Sequence, residues 1–139
     1  MPTVRASREL LAPIEDVWEF VAEPHNLPNW WPRVGGVHPD RRGLVPGARW
    51  QVTGENKPSF LRRPEAVGYL MVLAVEPRQR IAFQLTGDRL EVELTLEPAA
   101  KRRTKASIRV EGPWLVGLSR ALPRQALHRL YSLVQTGAA

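Results

Sequence analysis

The chain has 139 residues, of which 43% are hydrophobic and 24% charged, enough to bury a core without a disulfide or a structural metal. Its 20 basic residues outnumber 14 acidic ones for a net charge of +6, and the absence of cysteine excludes a disulfide framework, a thiol nucleophile and a thiolate metal site, which suits a cytoplasmic location. No apolar run of the ~7–15 residues of a secretory signal follows MPTVRASRELL, and none nears the ~20 residues needed to span a bilayer, so neither secretion nor membrane insertion is expected.

Residues 2–11 read as a first strand, with Val4, Ala6, Arg8 and Leu10 alternating against Arg5, Ser7 and Glu9. Pro13 then opens a helix, since proline suits the first helical position and Glu15 and Asp16 place negative charge at the positive end of the dipole. Ile14, Val17, Trp18 and Val21 give it one buried face, and Pro24 ends it by pushing Glu23 out of the helical region. The stretch HNLPNWWP holds a further helical turn or two.

Strand-like runs follow between regular turns: Val34–Val37, Ala48–Thr53, Ala66–Val75, Arg80–Leu85, Arg89–Leu96 and Thr104–Val110. Leu90, Val92, Leu94 and Leu96 alternate with Glu91, Glu93, Thr95 and Glu97, as on a sheet with one wet face. Ala106, Ile108 and Val110 repeat the pattern, and the basic turn KRRTK joins these strands as a hairpin. The run VGYLMVLAV is apolar on both sides, which predicts a strand covered on both faces.

Pro113 to Gln135 reads as one amphipathic helix of about 23 residues, or about 35 Å at 1.5 Å per residue. Leu115, Leu118, Leu122, Ala126, Leu130 and Leu133 form its stripe, opposite Arg120, Arg124, His128 and Gln135. Pro123 removes the hydrogen bond to the Ser119 carbonyl and should kink the helix or restart it near Leu122. The order predicts one α+β domain over 1–139: a curved antiparallel sheet of six to seven strands wrapped around a long C-terminal helix, with two short helices after the first strand. A sheet curled around such a helix leaves a hollow between them.

Ala12-Pro13, Val17-Trp18, Glu23-Pro24 and Trp31-Pro32, with LVPGARW, AVEPRQRIAFQLTG and the final helix, resemble the START-like helix-grip superfamily (SRPBCC), in particular its bacterial polyketide cyclase/dehydrase and lipid-transport branch. The resemblance runs through essentially the whole chain, and its motifs are signatures of fold. It implies a pocket between the sheet and the last helix for a small hydrophobic ligand such as a lipid or polyketide.

Large apolar side chains suited to such a pocket are Trp31, Trp50, Tyr69, Phe83 and Trp114, with Leu118, Leu122 and Ala126 on the helix side. Plain core packing accounts for each of them equally well. Arg129 falls beside Leu118, Leu122 and Ala126 on a continuous helix and is the best candidate to orient a ligand, although an arginine stem also lies readily on apolar surface with its head in water. Gln51 and Gln84 are further polar candidates whose sheet face the sequence leaves open.

Signals for chemistry are thin. His25, His38 and His128 show no metal-ligand spacing, so no metal site or cofactor is expected. His25 beside the Trp30-Trp31 turn suits a general acid or base, but equally an exposed loop. Ser59, Ser107 and Ser119 lack a nucleophile-elbow context, Glu91 and Glu93 read as a solvated face, and no phosphate-binding glycine loop occurs.

Three readings stay open. A binding module for a hydrophobic small molecule ranks first, ahead of a polyketide cyclase, aromatase or dehydratase using Arg129, Tyr69 and His25. A protein or RNA docking module using Arg41, Arg42, Arg62, Arg63 and the KRRTK turn ranks third. Arginine supplies 17 of the 20 basic residues, which favours anionic partners, but such charge on turns also serves solubility, so nucleic acid is not the expected partner.

Overall fold

In a computed structural model of the chain, residues 3–32, 34–54, 68–86, 89–112 and 121–137 are described. The strands are β1 (Thr3–Leu10), β2 (Val34–His38), β3 (Arg49–Gly54), β4 (Gly68–Glu76), β5 (Arg80–Leu85), β6 (Leu90–Pro98) and β7 (Thr104–Glu111). They form one curved seven-stranded antiparallel sheet in the order β1-β7-β6-β5-β4-β3-β2. From β2 to β7 the strands run as a meander. The first strand instead lies against the last, so β1 and β2 occupy opposite edges, six strand spacings or about 29 Å apart measured along the curved sheet.

The chain makes that crossing through helices α1 (Ile14–Ala22) and α2 (Leu27–Trp30), with a 3-10 turn at Pro24–Asn26 between them. Pro13 stands one place earlier than expected. It is the N-cap of α1 in extended conformation, and its carbonyl accepts from the N–H of Asp16 and of Val17, at 3.0 and 3.2 Å. Glu23 caps the next turn, its carboxylate accepting from the backbone N–H of His25 at 3.2 Å. At the other end of the sheet, buried Thr104 donates its hydroxyl to the Ala12 carbonyl at 2.8 Å, tying the start of β7 to the β1–α1 corner.

Cross-strand register fixes which side chains face inward. Leu70 is opposite Trp50 and Leu85, Phe83 opposite Val72 and Val92, and Ile108 opposite Leu94 and Ala6. These side chains form the apolar inner face. The outer face carries Arg5, Ser7, Glu93, Thr95, Ser107 and Arg109, knitted by an ion pair of 2.6 Å between Arg80 and Glu93 and a 2.9 Å hydrogen bond between the Ser7 and Ser107 hydroxyls. Strand β4 departs from the expected two-sided burial: Tyr69 and Leu73 are 50% and 38% exposed, and only Leu70 and Val72 are deeply buried. Irregular register at Val34/Gly36 and at Val72/Ala74 marks bulges, the device by which antiparallel sheets bend.

Helix α3 (Ala121–Gly137) lies across β1 and β7 and touches α1 and α2. The expected segment 113–120 falls outside the described residues, and Pro123 sits in the first described turn. Its buried face comprises Leu122, Pro123, Ala126, Leu127, Leu130 and Val134, while Leu133 is 37% exposed. The helix is therefore turned about 60° from the predicted stripe, taking 100° per residue. It rolls toward Leu127 and Val134, since it packs against β1 and the α1–α2 crossover together.

Candidate functional site

Trp31, Trp50, Phe83, Leu122 and Ala126 are all at most 3% exposed and belong to one continuous core cluster. Trp114 and Leu118 lie outside the described residues. Tyr69 is placed on the outer face, opposite Gln51 on β3, and its backbone N–H donates to the Thr86 hydroxyl at 2.9 Å. Gln51 and Gln84 share that exposed face. Arg129 is half-buried on the flank of α3, a consequence of the helix's rotation.

The Trp30-Trp31 turn brings three aromatic rings together in the interior. Trp30 ends α2 and Trp31 follows it in extended conformation, yet both rings are buried. Phe83 on β5 meets both indoles edge to face, with ring centroids 6.3 Å from Trp30 and 6.0 Å from Trp31, and the indoles are 6.2 Å from each other. The Trp31 N–H closes α2 on the Leu27 carbonyl at 2.8 Å, and Pro32 follows. Sequence reasoning named Trp31 and overlooked Trp30; the signal was the WW pair between two prolines, which leaves both rings too little chain to escape inward packing.

One further inward polar group was missed. Arg8 belongs to the face of β1 that carries Ala6 and Leu10, pairs with Ala106, and lays its guanidinium over the Tyr131 ring of α3, 4.1 Å from the centroid. Its place in the alternation was visible in the sequence; its partner on a helix far along the chain was not.

His25 stands at the surface with its side chain 70% exposed, Nδ1 2.8 Å from Glu23 Oε1. That contact, more than any other, holds the Glu23 carboxyl below its ordinary range. Asp40 is held low chiefly by the backbone N–H of Arg49, and Arg80 is held above the ordinary arginine value by hydrogen bonds to Glu76 and then Glu93. His25 stands on the surface and Tyr69 on the outer face of the sheet, whereas Arg129 is on the flank of α3. Among the described residues no group of three histidine, aspartate or glutamate side chains is arranged to hold a metal ion.

Open hollows occur elsewhere. One of about 480 Å³ lies on the outer face between Arg5, Ser7, Glu93 and Arg109, and another of about 490 Å³ between α1 and α3 is rimmed by Asp16, Glu19 and Glu23. Both have charged rims and neither is lined by the expected pocket residues. The basic turns are partly spoken for: Arg42 pairs with Asp40 and Arg103 with Glu9, whereas Arg62 and Arg63 lie outside the described residues. No helix among the described residues is long and apolar enough to cross a membrane.

Comparison with known proteins adds a family to this geometry. A family model described as polyketide cyclase / dehydrase and lipid transport matches residues 1–134. No curated protein matches the sequence. Among solved structures, a Deinococcus radiodurans protein superposes with a TM-score of 0.69 at 18% identity, over 99% of this chain and 98% of its own. The XoxI protein of Bacillus cereus gives a TM-score of 0.72 at 10% identity, over 97% of this chain and 96% of its own. DynU16, from the dynemicin biosynthetic locus, gives 0.68 at 22% identity over 98% of this chain, which spans 48% of that protein. At such identities the likeness is one of fold.

Proposed function

The chain belongs to the polyketide cyclase / dehydrase and lipid transport family, within the START-like superfamily, and on that premise we propose that it binds a small hydrophobic molecule between the sheet's inner face and the C-terminal helix. The observation that carries this reading is the contrast between the two faces of one sheet. Charge and hydroxyls occupy the outer face, while the inner face of β3 to β7 is apolar and holds the Trp30-Trp31-Phe83 cluster. Helix α3 packs on β1 and β7 at one side of that surface, and α2 lies toward the other edge beside β2. Walls of aromatic and aliphatic side chains with few polar groups are the chemistry of a site for apolar ligands.

Within this proposal 1–139 acts as one ligand-binding domain in the cytoplasm. Trp31, Trp50, Phe83, Leu122 and Ala126 supply the walls, and Arg129 stands at the rim. Tyr69, on the outer face, has no part in it. Native mass spectrometry of the protein purified from its own host tests the reading. A lipophilic mass travelling with the chain is the expected result; the bare chain in every preparation, with no uptake of added fatty acid or polycyclic aromatic probes, would overturn it.

A further inference from the structure

Trp30 and Trp31 are 1% and 0% exposed, and neither indole N–H has a hydrogen-bond acceptor among the described residues. Buried tryptophan normally finds one, and a buried donor left unpaired costs about 1–3 kcal/mol. The same chain obeys that rule elsewhere: the Trp50 indole donates to the Gly43 carbonyl at 2.9 Å, and buried Thr104 donates to Ala12. Packing does not call for the two N–H groups either. The edge-to-face contacts with Phe83 are ring contacts that a phenyl group makes equally well.

We propose that the indole N–H groups of Trp30 and Trp31 are the polar end of the interior site and receive a carbonyl oxygen of an otherwise apolar molecule, an inference that rests on the small-molecule reading above. The charge state of the acceptor follows from its surroundings. Both donors are neutral and the ring packed on both is Phe83, so a carboxylate would lose its hydration without a counter-charge, at far greater cost than a ketone or ester. A hydroxyl would bring a donor of its own that needs a partner. A carbonyl only accepts, so it brings no unpaired donor of its own.

The test uses the full chain and two planar tricyclic probes of nearly the same shape, 9-fluorenone and fluorene, which differ by a carbonyl in place of a methylene. Fluorene is the more apolar, so burial of area alone favours it. Calorimetric titration should instead show fluorenone binding about tenfold tighter or more, as one or two net hydrogen bonds provide. In nitrogen-15 spectra the Trp30 and Trp31 indole N–H resonances should move downfield with fluorenone and stay with fluorene. Trp30→Phe and Trp31→Phe should each lose most of the preference for fluorenone over fluorene, read as the ratio of the two affinities whatever the change in fluorene affinity itself. Should a variant fail to fold, the spectra of the unaltered protein decide. Equal affinities with unmoved indole resonances would overturn the carbonyl assignment and leave the apolar site standing; binding of neither probe would overturn both.

Discussion

Ala126 gives a test of the interior whose sign carries the answer. It is fully buried on α3 between Leu122 and Leu130, on the face turned toward the sheet. Ala126→Leu adds a branched hydrocarbon there. Where the space ahead of residue 126 is already filled to crystal-like density, overpacking costs about 1–3 kcal/mol. Where it borders a ligand site, the new side chain occupies room that the ligand would use and gains part of the roughly 1.5–3 kcal/mol that burying a leucine is worth. The two cases lie several kcal/mol apart on opposite sides of zero. At about 2–5 °C of melting temperature per kcal/mol for a chain of this size, thermal denaturation separates them. The expected outcome is unchanged or raised stability together with loss of 9-fluorenone and fluorene binding. A fall of several degrees with probe affinity intact would refute the placement of the site under α3.

Thr104→Val keeps the shape of the side chain and removes the hydroxyl that reaches Ala12, so urea denaturation should show about 1–3 kcal/mol less stability; Thr104→Ser, which retains the donor, should lose less. Asp40 and Glu23 have carboxyls lowered from 3.8 and 4.5, so they favour the folded state above those values, and that contribution disappears as pH falls through the lower folded-state values. Asp40→Asn should therefore reduce stability at neutral pH and flatten the acid limb of a urea-midpoint titration; an unchanged limb would contradict the assignment. Arg78 holds φ at 62° in the β4–β5 turn, a left-handed conformation costly for any residue with a Cβ. Arg78→Gly should raise stability by up to about 1–2 kcal/mol, less the extra backbone freedom of glycine in the unfolded chain.

The strands were legible because a wet face and a dry face impose period two, and β6 and β7 carry it without interruption. Strand β4 was misjudged for a physical reason. An outward Tyr69 or Leu73 is indistinguishable in sequence from an inward one, and only the register with Gln51 and Gln84 assigns the faces. Helix α3 shows the same limit. Its existence followed from periodicity, but its rotation depends on what it packs against, so Leu127 and Val134 turned inward at the expense of Leu133. Of the site, the aromatic inventory was readable, whereas the meeting of Trp30 and Trp31 with Phe83, over fifty residues later in the chain, is a product of the β1-to-β2 crossover.

That crossover explains why the site stands where it does. With β1 and β2 at opposite edges, the linking chain must pass over one face of the sheet, and whichever face it passes over becomes the interior. The outer ladder of Arg80, Glu93 and Arg109 keeps the opposite face wet; at 22–36% side-chain exposure such pairs add little stability, so their role is to fix which face stays in water. A one-residue register slip would bring Glu93 inward and turn Val92 outward, exchanging the two faces at a prohibitive desolvation cost. Alternation along the strands therefore specifies the floor of the site, and the prolines around Trp30-Trp31 specify its polar end. Arg8 fits the same logic. A cation on the inward face of β1 is tolerated where Tyr131 of α3 covers it with a ring, which sets the charge at the β1 margin of the interior and keeps it apart from the neutral indole donors at the α2 turn.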